Sequence, residues 1–360
     1  MLNNTILSLI EFVIGLSLIM ILHELGHYLV GKLSGIQAEE FGFGFPPRLL
    51  KLFTAGGTDF TLNLIPFGAF VRFKGEMDSD EPGSFYAAGK WQRFFTLLAG
   101  PIMNILTSVL LIAIIISQVG IPQPEIVQIA AVEPGSPAAV AGILPGDVIQ
   151  SIQGEQVDNM LTISEITHQN LGRPIKLEIL RNEKLIEVSI VPRQNPPEGQ
   201  GAMGVVMQNP VREVGFIRAV PYSAQLNYEL IRSLLSIPSM LMQGEVQSED
   251  ARLLSPKGVF DIYSQVREEE RPLEKEQTNL AFLNIGWFFA IISVSFGFTN
   301  LLPIPALDGG RILFIIPEIF TGKRVPPQLE GTVHFIGYTL LILLMGYVLF
   351  QDIVNPVVLP

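Results

Sequence analysis

The sequence contains no cysteine among its 360 residues, and only four histidines and two tryptophans. The lack of cysteine excludes disulfide bonds and thiolate zinc ligands, so any zinc site must use histidine and carboxylate groups. Charged residues are also scarce, at 16%, whereas 48% of the residues are hydrophobic. The net charge of −11 argues against a nucleic-acid partner. This apolar excess predicts an integral membrane protein that also has a sizeable soluble part.

Four segments of the sequence are long and apolar enough to cross a bilayer. They comprise residues 5–30, 94–119, 280–302 and 331–351. The first segment has neither the basic flank nor the small-residue cleavage site of a secretory signal peptide. We therefore expect it to be retained as a membrane span.

Lysine and arginine residues near the expected spans predict the orientation of the chain. Lys32, Lys90 and Arg93 border the loop between the first two spans, and Lys323 and Arg324 lie between the last two. The long loop between the second and third spans has more acidic than basic residues. Because positively charged loops stay in the cytoplasm, both termini and the long acidic loop are expected outside it.

The first span contains the pattern H-E-x-x-H, formed by His23, Glu24 and His27. Positions four residues apart share one face of a helix, so both imidazoles can reach one metal ion. Glu24 lies beside them and could act as a general base toward a water molecule. Ionisable groups within a membrane span are costly and functional by default, so a chance occurrence is the weaker explanation. The motif predicts a zinc hydrolase that acts at membrane depth.

Between the first two spans, residues 36–78 contain aromatic and β-branched runs separated by glycine and proline. These runs predict short β-hairpins that dip into the membrane against the helices. The first run contains Gly42, Phe43 and Gly44. Its strand could hold a substrate segment in extended form, or the hairpins could be a structural plug over the active site. The sequence leaves both alternatives open.

Three residues of the second span, Gly100, Pro101 and Asn104, form the pattern G-P-x-x-N. Glycine and proline permit close helix approach and a kink. Asn104 is polar at membrane depth and should face protein or a cavity. We expect these residues to pack near the site, with a packing hydrogen bond as the simpler role for Asn104.

From about Pro122 the composition becomes that of a soluble domain. Residues 129–149 predict a strand, a turn, a short helix, a turn and a strand, and residues 175–191 predict an antiparallel pair. The run G-S-P-A-A-V-A-G-I-L-P-G-D begins at Gly135. It resembles the circularly permuted PDZ domains of bacterial envelope proteases, which offer a groove for an extended chain end. A steric filter that binds no specific peptide is the alternative, and His168 is expected at its surface.

The segment that follows carries no assigned chemistry. Residues 224–242 predict an amphipathic helix, and the charge run at residues 267–276 predicts a solvated helix face.

The third span ends in the pattern N-x-x-P-x-P-x-x-D-G-G, from Asn300 to Gly310. Its prolines and glycines break the helix beside the lone carboxylate of Asp308. Joined to the two histidines, Asp308 completes a His-His-Asp set with the open fourth position of a catalytic zinc, although it could also cap the next helix. Asn300 could hold the substrate backbone or stabilise the oxyanion. His334, in the last span, is expected to be packed rather than liganding.

These motifs together resemble the site-2 protease family, most of all its bacterial RseP-type members (regulator of sigma-E protease), over nearly the whole chain. The resemblance implies a polytopic α-helical membrane protein with four transmembrane helices, a membrane-associated β-hairpin region and an inserted extracytoplasmic α+β PDZ domain. The expected segments are a first transmembrane helix (1–35), a cytoplasmic-side hairpin loop (36–92), a second helix (93–120), the PDZ domain (121–208), a PDZ C-terminal region (209–278), a third helix with its motif and following helix (279–325), and a fourth helix (326–360).

The resemblance also implies a function, a zinc-dependent endopeptidase of the bacterial cytoplasmic membrane that cuts within transmembrane segments. Its substrates would be single-span proteins already shortened by another protease, such as anti-sigma factors or remnant signal peptides, with the PDZ domain contacting chain ends. His23, His27 and Asp308 would be the zinc ligands. Glu24 would be the general base and Asn300 the substrate or oxyanion contact.

Two hypotheses from other classes compete with an enzyme. A non-catalytic PDZ membrane adaptor with a structural metal site would not need Glu24 beside its ligands. A transporter with an intramembrane metal site is weakened by the lack of a repeated half. The chain also departs from its relatives, since it has one PDZ repeat where some have two. It reads S-P-K-G from Ser255 where they often read S-G-P-x-G.

Overall fold

The chain folds into two compact units. One combines Met1–Ile115 with Phe216–Pro360, and the other is Ile116–Gly215. The computed structural model describes residues 2–76, 79–197, 199–244, 252–276 and 283–357.

The described residues form helices and strands in the following chain order. The helices are α1 (Leu2–Leu33), α2 (Lys90–Val119), α3 (Pro137–Val140), α4 (Met160–Gln169), α5 (Phe216–Gln243), α6 (Pro256–Glu276), α7 (Leu283–Leu301), α8 (Asp308–Thr321) and α9 (Pro327–Val354). The strands are β1 (Ala38–Ala55), β2 (Thr58–Phe73), β3 (Ile121–Pro122), β4 (Val127–Val132), β5 (Val148–Ile152), β6 (Glu155–Gln156), β7 (Ile175–Arg181), β8 (Lys184–Ile190), β9 (Val205–Gln208) and β10 (Val211–Arg212).

Within the described ranges, four helices are long and apolar enough to cross a membrane, one in each segment where the sequence predicts a span. They are Thr5–Leu33, Lys90–Val119, Leu283–Leu301 and Pro327–Val354. The second helix begins at Lys90, before the expected boundary after residue 92. Arg93, which borders the first loop in the sequence, is buried and paired with Glu318 of α8. This ion pair compensates a charge that would be costly to bury alone.

The predicted hairpin region is built from two long strands, β1 and β2, whose residues 48–55 and 58–63 form a β-hairpin. Residues 38–45 have partners on two sides. Phe41 lies opposite Phe60 and Val71, and Phe43 lies opposite Leu62 and Ala69. Prolines that suggested strand ends, such as Pro46 and Pro47, instead fall where the register shifts within β1.

This register changes the expected role of Gly42 and Phe43. Both lie in the interior of the sheet, since each has partners in both halves of β2. A strand with partners on both sides cannot receive another chain. The sheet edge beside α1 is formed instead by residues 69–73 of β2, whose Val71 N–H bonds to a side chain of α1.

The second unit contains an antiparallel sheet of order β8-β7-β5-β4-β9, with β6 paired to β5. Its core is a cluster of buried aliphatic side chains that includes Ile149, Ile163, Leu177 and Ile179. Leu177 and Ile179 alternate along β7 and, with Ile149 of β5, pack in one cluster with Ile163 of α4, as the sequence pattern predicts for half-buried strands. The unit extends beyond the expected end at residue 208, because β10 pairs with β3.

The G-S-P run of this unit starts a short helix. Ser136 is the N-cap of α3 and its side-chain oxygen accepts a hydrogen bond from Ala139 N at 3.1 Å. Asp147, at the end of the run, is buried and receives hydrogen bonds from Leu144 N and from Arg181. Burial alone would raise the pKa of Asp147, but the bonds from Arg181 and Leu144 hold it below its usual value.

Helices α5 and α6 contain the predicted amphipathic segment 224–242 and the charge run 267–276, respectively. Helix α5 begins at Phe216, earlier than the expected start at residue 224, and α6 contains the charge run up to Glu276. Tyr263 of α6 packs between Phe12 of α1 and Phe288 of α7, with both ring centroids 5.4 Å away. Helix α6 is therefore fixed to the helices that surround the first span.

The S-P-K-G segment joins α6 to the end of α9. The hydroxyl and backbone N–H of Ser255 donate to the buried carboxylate of Asp352 at 2.6 and 2.7 Å. Arg252 also pairs with Asp352, at 3.2 Å. A Cβ at Gly258 would overlap this carboxylate, so the segment requires a glycine there.

Candidate metal centre

Helix α1 presents His23 and His27 one turn apart on a buried face. Both histidines are buried, with 5% and 6% of the residue exposed. Gly26 lies between them, and a Cβ there would overlap the carbonyl oxygen of Ala99 in α2. The backbones of α1 and α2 therefore approach closely at the level of the histidines, as small residues allow in membrane helices.

Asp308 reaches the same place from the start of α8. Helix α7 ends at Leu301, and the chain turns through the two prolines before α8 begins. A Cβ at Gly309 would overlap the carbonyl oxygens of Leu301 and Leu302, so this tight return needs a glycine. The N-cap position of α8 is Leu307, and Asp308 contacts the histidines instead of capping the helix.

Three ligand atoms from these side chains converge. His23 Nε2 lies 3.1 Å from Asp308 Oδ2 and 3.1 Å from His27 Nε2, and His27 Nε2 lies 3.4 Å from Asp308 Oδ2. A tetrahedral zinc with bonds of about 2.0–2.1 Å has ligand atoms about 3.3–3.4 Å apart. The spacing and chemistry of the three donors therefore fit zinc and leave a fourth position open.

Hydrogen bonding orients one histidine for this role. His27 Nδ1 lies 2.7 Å from the carbonyl oxygen of Thr96 in α2. Since a carbonyl oxygen can only accept, Nδ1 must carry the proton, and the lone pair of Nε2 is left for a metal. On the other histidine, His23 Nδ1 lies 3.2 Å from the side-chain amide of Asn104.

Glu24 is held by the sheet. Its Oε2 accepts a hydrogen bond from Val71 N of β2 at 3.0 Å. The same strand contacts α1 again at Ser17, whose hydroxyl accepts from Gly68 N at 3.4 Å. The expected general base is thus anchored to the edge of the sheet by a backbone group.

Comparison with known proteins gives the family. The sequence model of Peptidase family M50 matches residues 11–344. The chain belongs to peptidase family M50. The match includes His23, His27 and Asp308 and extends over nearly the whole chain, as the sequence predicts for a site-2 protease.

Curated relatives agree with this assignment along their full length. The chain is 28% identical to the regulator of sigma-W protease RasP of Bacillus subtilis, covering 96% of this chain and 98% of the relative. It is 28% identical to the zinc metalloprotease RasP of Geobacillus kaustophilus, covering 97% and 98%. Among solved structures, it is similar to the PDZ domain of an SdrC-like protein of Listeria innocua, at 26% identity and a TM-score of 0.21, covering 23% of this chain and 94% of that one.

This M50 protein is a zinc metalloprotease of the site-2 type, so the prediction of an enzyme and of zinc is confirmed. Its four apolar helices agree with a membrane protein. The adaptor and transporter hypotheses receive no support from the relatives, which are named as proteases.

The other residues that the sequence predicts to contact substrate lie away from the metal cluster or inside the sheet. The amide of Asn300 donates to Phe296 O at 3.1 Å, one turn back in α7, and not to the metal cluster. Gly42 and Phe43 are inside the sheet. The carbonyl oxygen of Gly44 accepts a hydrogen bond from the side-chain amide of Asn63 at 3.1 Å. These residues therefore do not lie at an open edge of the sheet.

The G-P-x-x-N residues of α2 face the cluster and α7. A Cβ at Gly100 would lie 2.8 Å from His23 Nε2. The carbonyl of Pro101 is 2.7 Å from the place of a Cβ on Gly297, so α7 crosses α2 closely at this point. Ser293 of α7 donates to Asn104 O at 2.8 Å.

Sequence reasoning missed several contacts that support the centre. Thr96 and Val71 act through backbone groups, for which a sequence carries no signal. His334 is outside the metal cluster, as expected, but its Nδ1 accepts from Ala306 N at 2.8 Å in the turn before Asp308. Ala306 has a φ of 82°, an uncommon conformation for alanine. A histidine within an apolar span could have been read as a sign of such a role.

Proposed function

We propose that this zinc metalloprotease cleaves peptide bonds within the membrane-spanning segments of other membrane proteins. The observation that carries the proposal is the position of the metal cluster. His23 and His27 lie inside the apolar helix Thr5–Leu33, at neither end of it. A hydrolytic centre at this depth is suited to substrate segments that lie in the same layer.

The roles of the chain's residues follow from their geometry. His23, His27 and Asp308 hold the zinc, which when bound polarises the scissile carbonyl and lowers the pKa of the attacking water. Glu24 accepts the proton of that water and later delivers it to the leaving nitrogen. Asn300 can turn its amide from Phe296 toward the substrate carbonyl, where it would stabilise the oxyanion.

The test is cleavage of a model single-span substrate by purified protein in detergent, with zinc content assayed in parallel. Glu24→Gln removes the base but no ligand, so it should retain zinc and lose cleavage by at least about 100-fold. Glu11→Gln makes the same chemical change elsewhere on α1, where Glu11 pairs with Arg267, and should cleave normally. Cleavage by Glu24→Gln at the rate of Glu11→Gln would refute the assigned base.

The edge of the sheet at residues 69–73 is proposed to hold the substrate segment in extended form. A helical peptide bond is shielded, and pairing with a strand edge exposes it. Val71 N–H already points away from the sheet toward Glu24, and groups two residues apart along a strand point to the same side. Ala69 N–H is therefore directed to the same edge as the expected general base.

Removal of this N–H group tests the edge. Ala69→Pro should lower the cleavage rate several-fold with unchanged zinc content, because proline is tolerated at a strand edge but cannot donate. Ala69→Gly retains the N–H and is the matched control. Equal cleavage rates for the two variants would show that the substrate does not pair there.

The PDZ unit is proposed to contact the ends of substrate chains that another protease has already shortened. Strand β9 lies at one edge of its sheet. A cavity of about 110 Å³ lies between this strand and α4, lined by residues that include Thr167, Gly201, Met203 and Val205. This arrangement suits a chain end that adds to the edge of β9. Removal of the last residues of a pre-cut substrate should raise its KM.

The proposed location is the bacterial cytoplasmic membrane, with both termini and the PDZ unit outside the cytoplasm. Within the first unit, the basic residues at the start of α2 and after α8 lie close together. Lys90 donates to Ile319 O at 3.2 Å, and Arg324 donates to Ala88 O at 3.0 Å. The cysteine-free chain allows a direct test. Lys323→Cys should resist a membrane-impermeant maleimide in intact spheroplasts, whereas Glu183→Cys in the PDZ unit should react.

Candidate substrates are anti-sigma factors and remnant signal peptides. The name of the Bacillus subtilis relative, a regulator of sigma-W protease, favours the first class. Both classes are short single-span proteins after a first cut, so both fit one site. Comparison of membrane proteomes with wild-type enzyme and Glu24→Gln would identify which fragments accumulate.

A further inference from the structure

Asn104 is in direct contact with a proposed zinc ligand and is completely buried. Its side-chain amide lies 3.2 Å from His23 Nδ1, on the side of the imidazole opposite the metal cluster. The residue is held in place by α7, because Ser293 donates to its carbonyl oxygen and Gly297 leaves room for its Cβ. Among the described residues, the side-chain amide makes one hydrogen-bonding contact, with the imidazole of His23.

The protonation of His23 decides what this contact can do. A neutral imidazole carries its proton on one nitrogen and offers a lone pair on the other. His23 Nε2 faces Asp308 and His27 and is the atom that would bind zinc. Its lone pair is available only if the proton resides on Nδ1. Asn104 must then present an acceptor, its Oδ1, to that proton.

The structure places Nδ2 at the contact and leaves Oδ1 buried, with no hydrogen-bond partner in the described part of the chain. No donor thus fixes the amide in that orientation. The oxygen and nitrogen of a carboxamide exchange places by a half-turn of the side chain. With Oδ1 at 3.2 Å, His23 Nδ1–H has an acceptor, in the same way that His27 Nδ1–H has Thr96 O.

We propose that Asn104 is a positioning residue of the zinc centre: its Oδ1 accepts the Nδ1 proton of His23 and thereby directs the lone pair of His23 Nε2 to the metal. The inference rests on the proposed ligand set of His23, His27 and Asp308. It assigns a side chain of α2 to the centre and replaces the packing role that the sequence predicts for Asn104. Partners of this kind orient metal-bound histidines, and their loss typically weakens metal affinity 10- to 100-fold.

The experiment measures zinc affinity of the full-length protein in detergent by competition with a chelator. Asn104→Leu has no acceptor and should bind zinc about 10- to 100-fold more weakly. Asn104→Asp keeps an acceptor and has no donor when ionised, so it should bind zinc at least as tightly as wild type. Thr107→Val is the matched control, because Thr107 on the same helix donates only to Met103 O, and its zinc affinity should not change.

The aspartate variant distinguishes the two amide orientations. If the amide N–H were the functional partner, Asn104→Asp would weaken zinc binding as much as Asn104→Leu, and the proposal would be wrong. Unchanged affinity of Asn104→Leu would also overturn it. If the leucine variant does not fold, as judged by gel filtration of the metal-free protein, the aspartate variant alone decides by retaining or losing affinity.

His27→Ala in the same assay separates this inference from the ligand assignment. Loss of zinc in His27→Ala with normal binding by Asn104→Leu would refute only the role of Asn104. Normal binding by His27→Ala would refute the ligand set and, with it, the inference.

Discussion

Gly100 of α2 faces the metal cluster, and its replacement by alanine should weaken zinc binding. A Cβ on Gly100 would lie 2.6 Å from His27 Cε1 and 2.8 Å from His23 Nε2. Both neighbours are side-chain atoms of buried rings that are also held by Thr96 and Asn104. Neither imidazole can therefore move away freely.

The size of the effect follows from these distances. Ordinary van der Waals contact of a Cβ begins at 3.4 Å, so His23 Nε2 would have to move by about 0.6 Å, and His27 Nε2, which is closer, by more. Metal–ligand distances tolerate deviations of only about 0.2 Å. Overpacking of a dense interior costs about 1–3 kcal/mol, which corresponds to a loss of about 5- to 150-fold in zinc affinity.

Chelator competition on the purified protein measures this loss, and cleavage of a single-span substrate should fall in parallel. Gly346→Ala is the matched control, since a Cβ there meets nothing within 4 Å and the residue also lies in a long apolar helix. Equal zinc affinity of the two alanine variants would refute the argument that α1 and α2 are in close contact at the histidines.

Two further predictions concern supporting contacts. His334→Leu removes the acceptor of Ala306 N, so it should loosen the turn before Asp308 and weaken zinc binding by roughly 10-fold, whereas Ala306→Gly, which relieves the positive φ, should not. Arg181→Met leaves the Asp147 carboxylate buried without its cation and should destabilise the second unit, Ile116–Gly215, by about 2 kcal/mol at pH 7. Because the pKa of Asp147 is lowered in the folded protein, this contribution is complete above about pH 4 and is lost as the pH falls through the folded pKa. Hydrogen exchange of full-length wild type and Arg181→Met measures their difference in stability at pH 7 and at pH 3. An equal difference at the two pH values would contradict the stabilising role of the Arg181–Asp147 ion pair.

Local patterns in the sequence were sufficient for several parts of this protein. The two histidines of H-E-x-x-H share a face because of helical periodicity alone, so their pairing needs no tertiary information. The four apolar helices follow from hydropathy, since a lipid environment requires long uninterrupted apolar runs. The G-S-P run predicts the start of a short helix, because Ser136 can cap it and Pro137 suits its first position.

The burial of one charge and the course of the chain through two prolines depend on distant residues. Arg93 borders the first loop in the sequence, and only the fold pairs it with Glu318, far along the chain. Pro46 and Pro47 looked like strand ends, but β1 continues through them with a shift of register. In both cases the stabilising partner is distant in sequence: Glu318 for Arg93, and strand β2 for the proline-containing part of β1.

The sequence by itself predicted the chemistry proposed for this protein, with two imidazoles and a carboxylate in or beside apolar segments as zinc donors. Tertiary structure alone decided how that chemistry is assembled. It brings Asp308 to His23 across 285 residues, places residues 69–73 and not Gly42–Gly44 at the sheet edge, and sets Thr96 O and Val71 N against His27 and Glu24. The physical reason is that every residue except proline carries the same backbone donor and acceptor. Which of them meets a functional side chain depends on packing and register, and not on residue type.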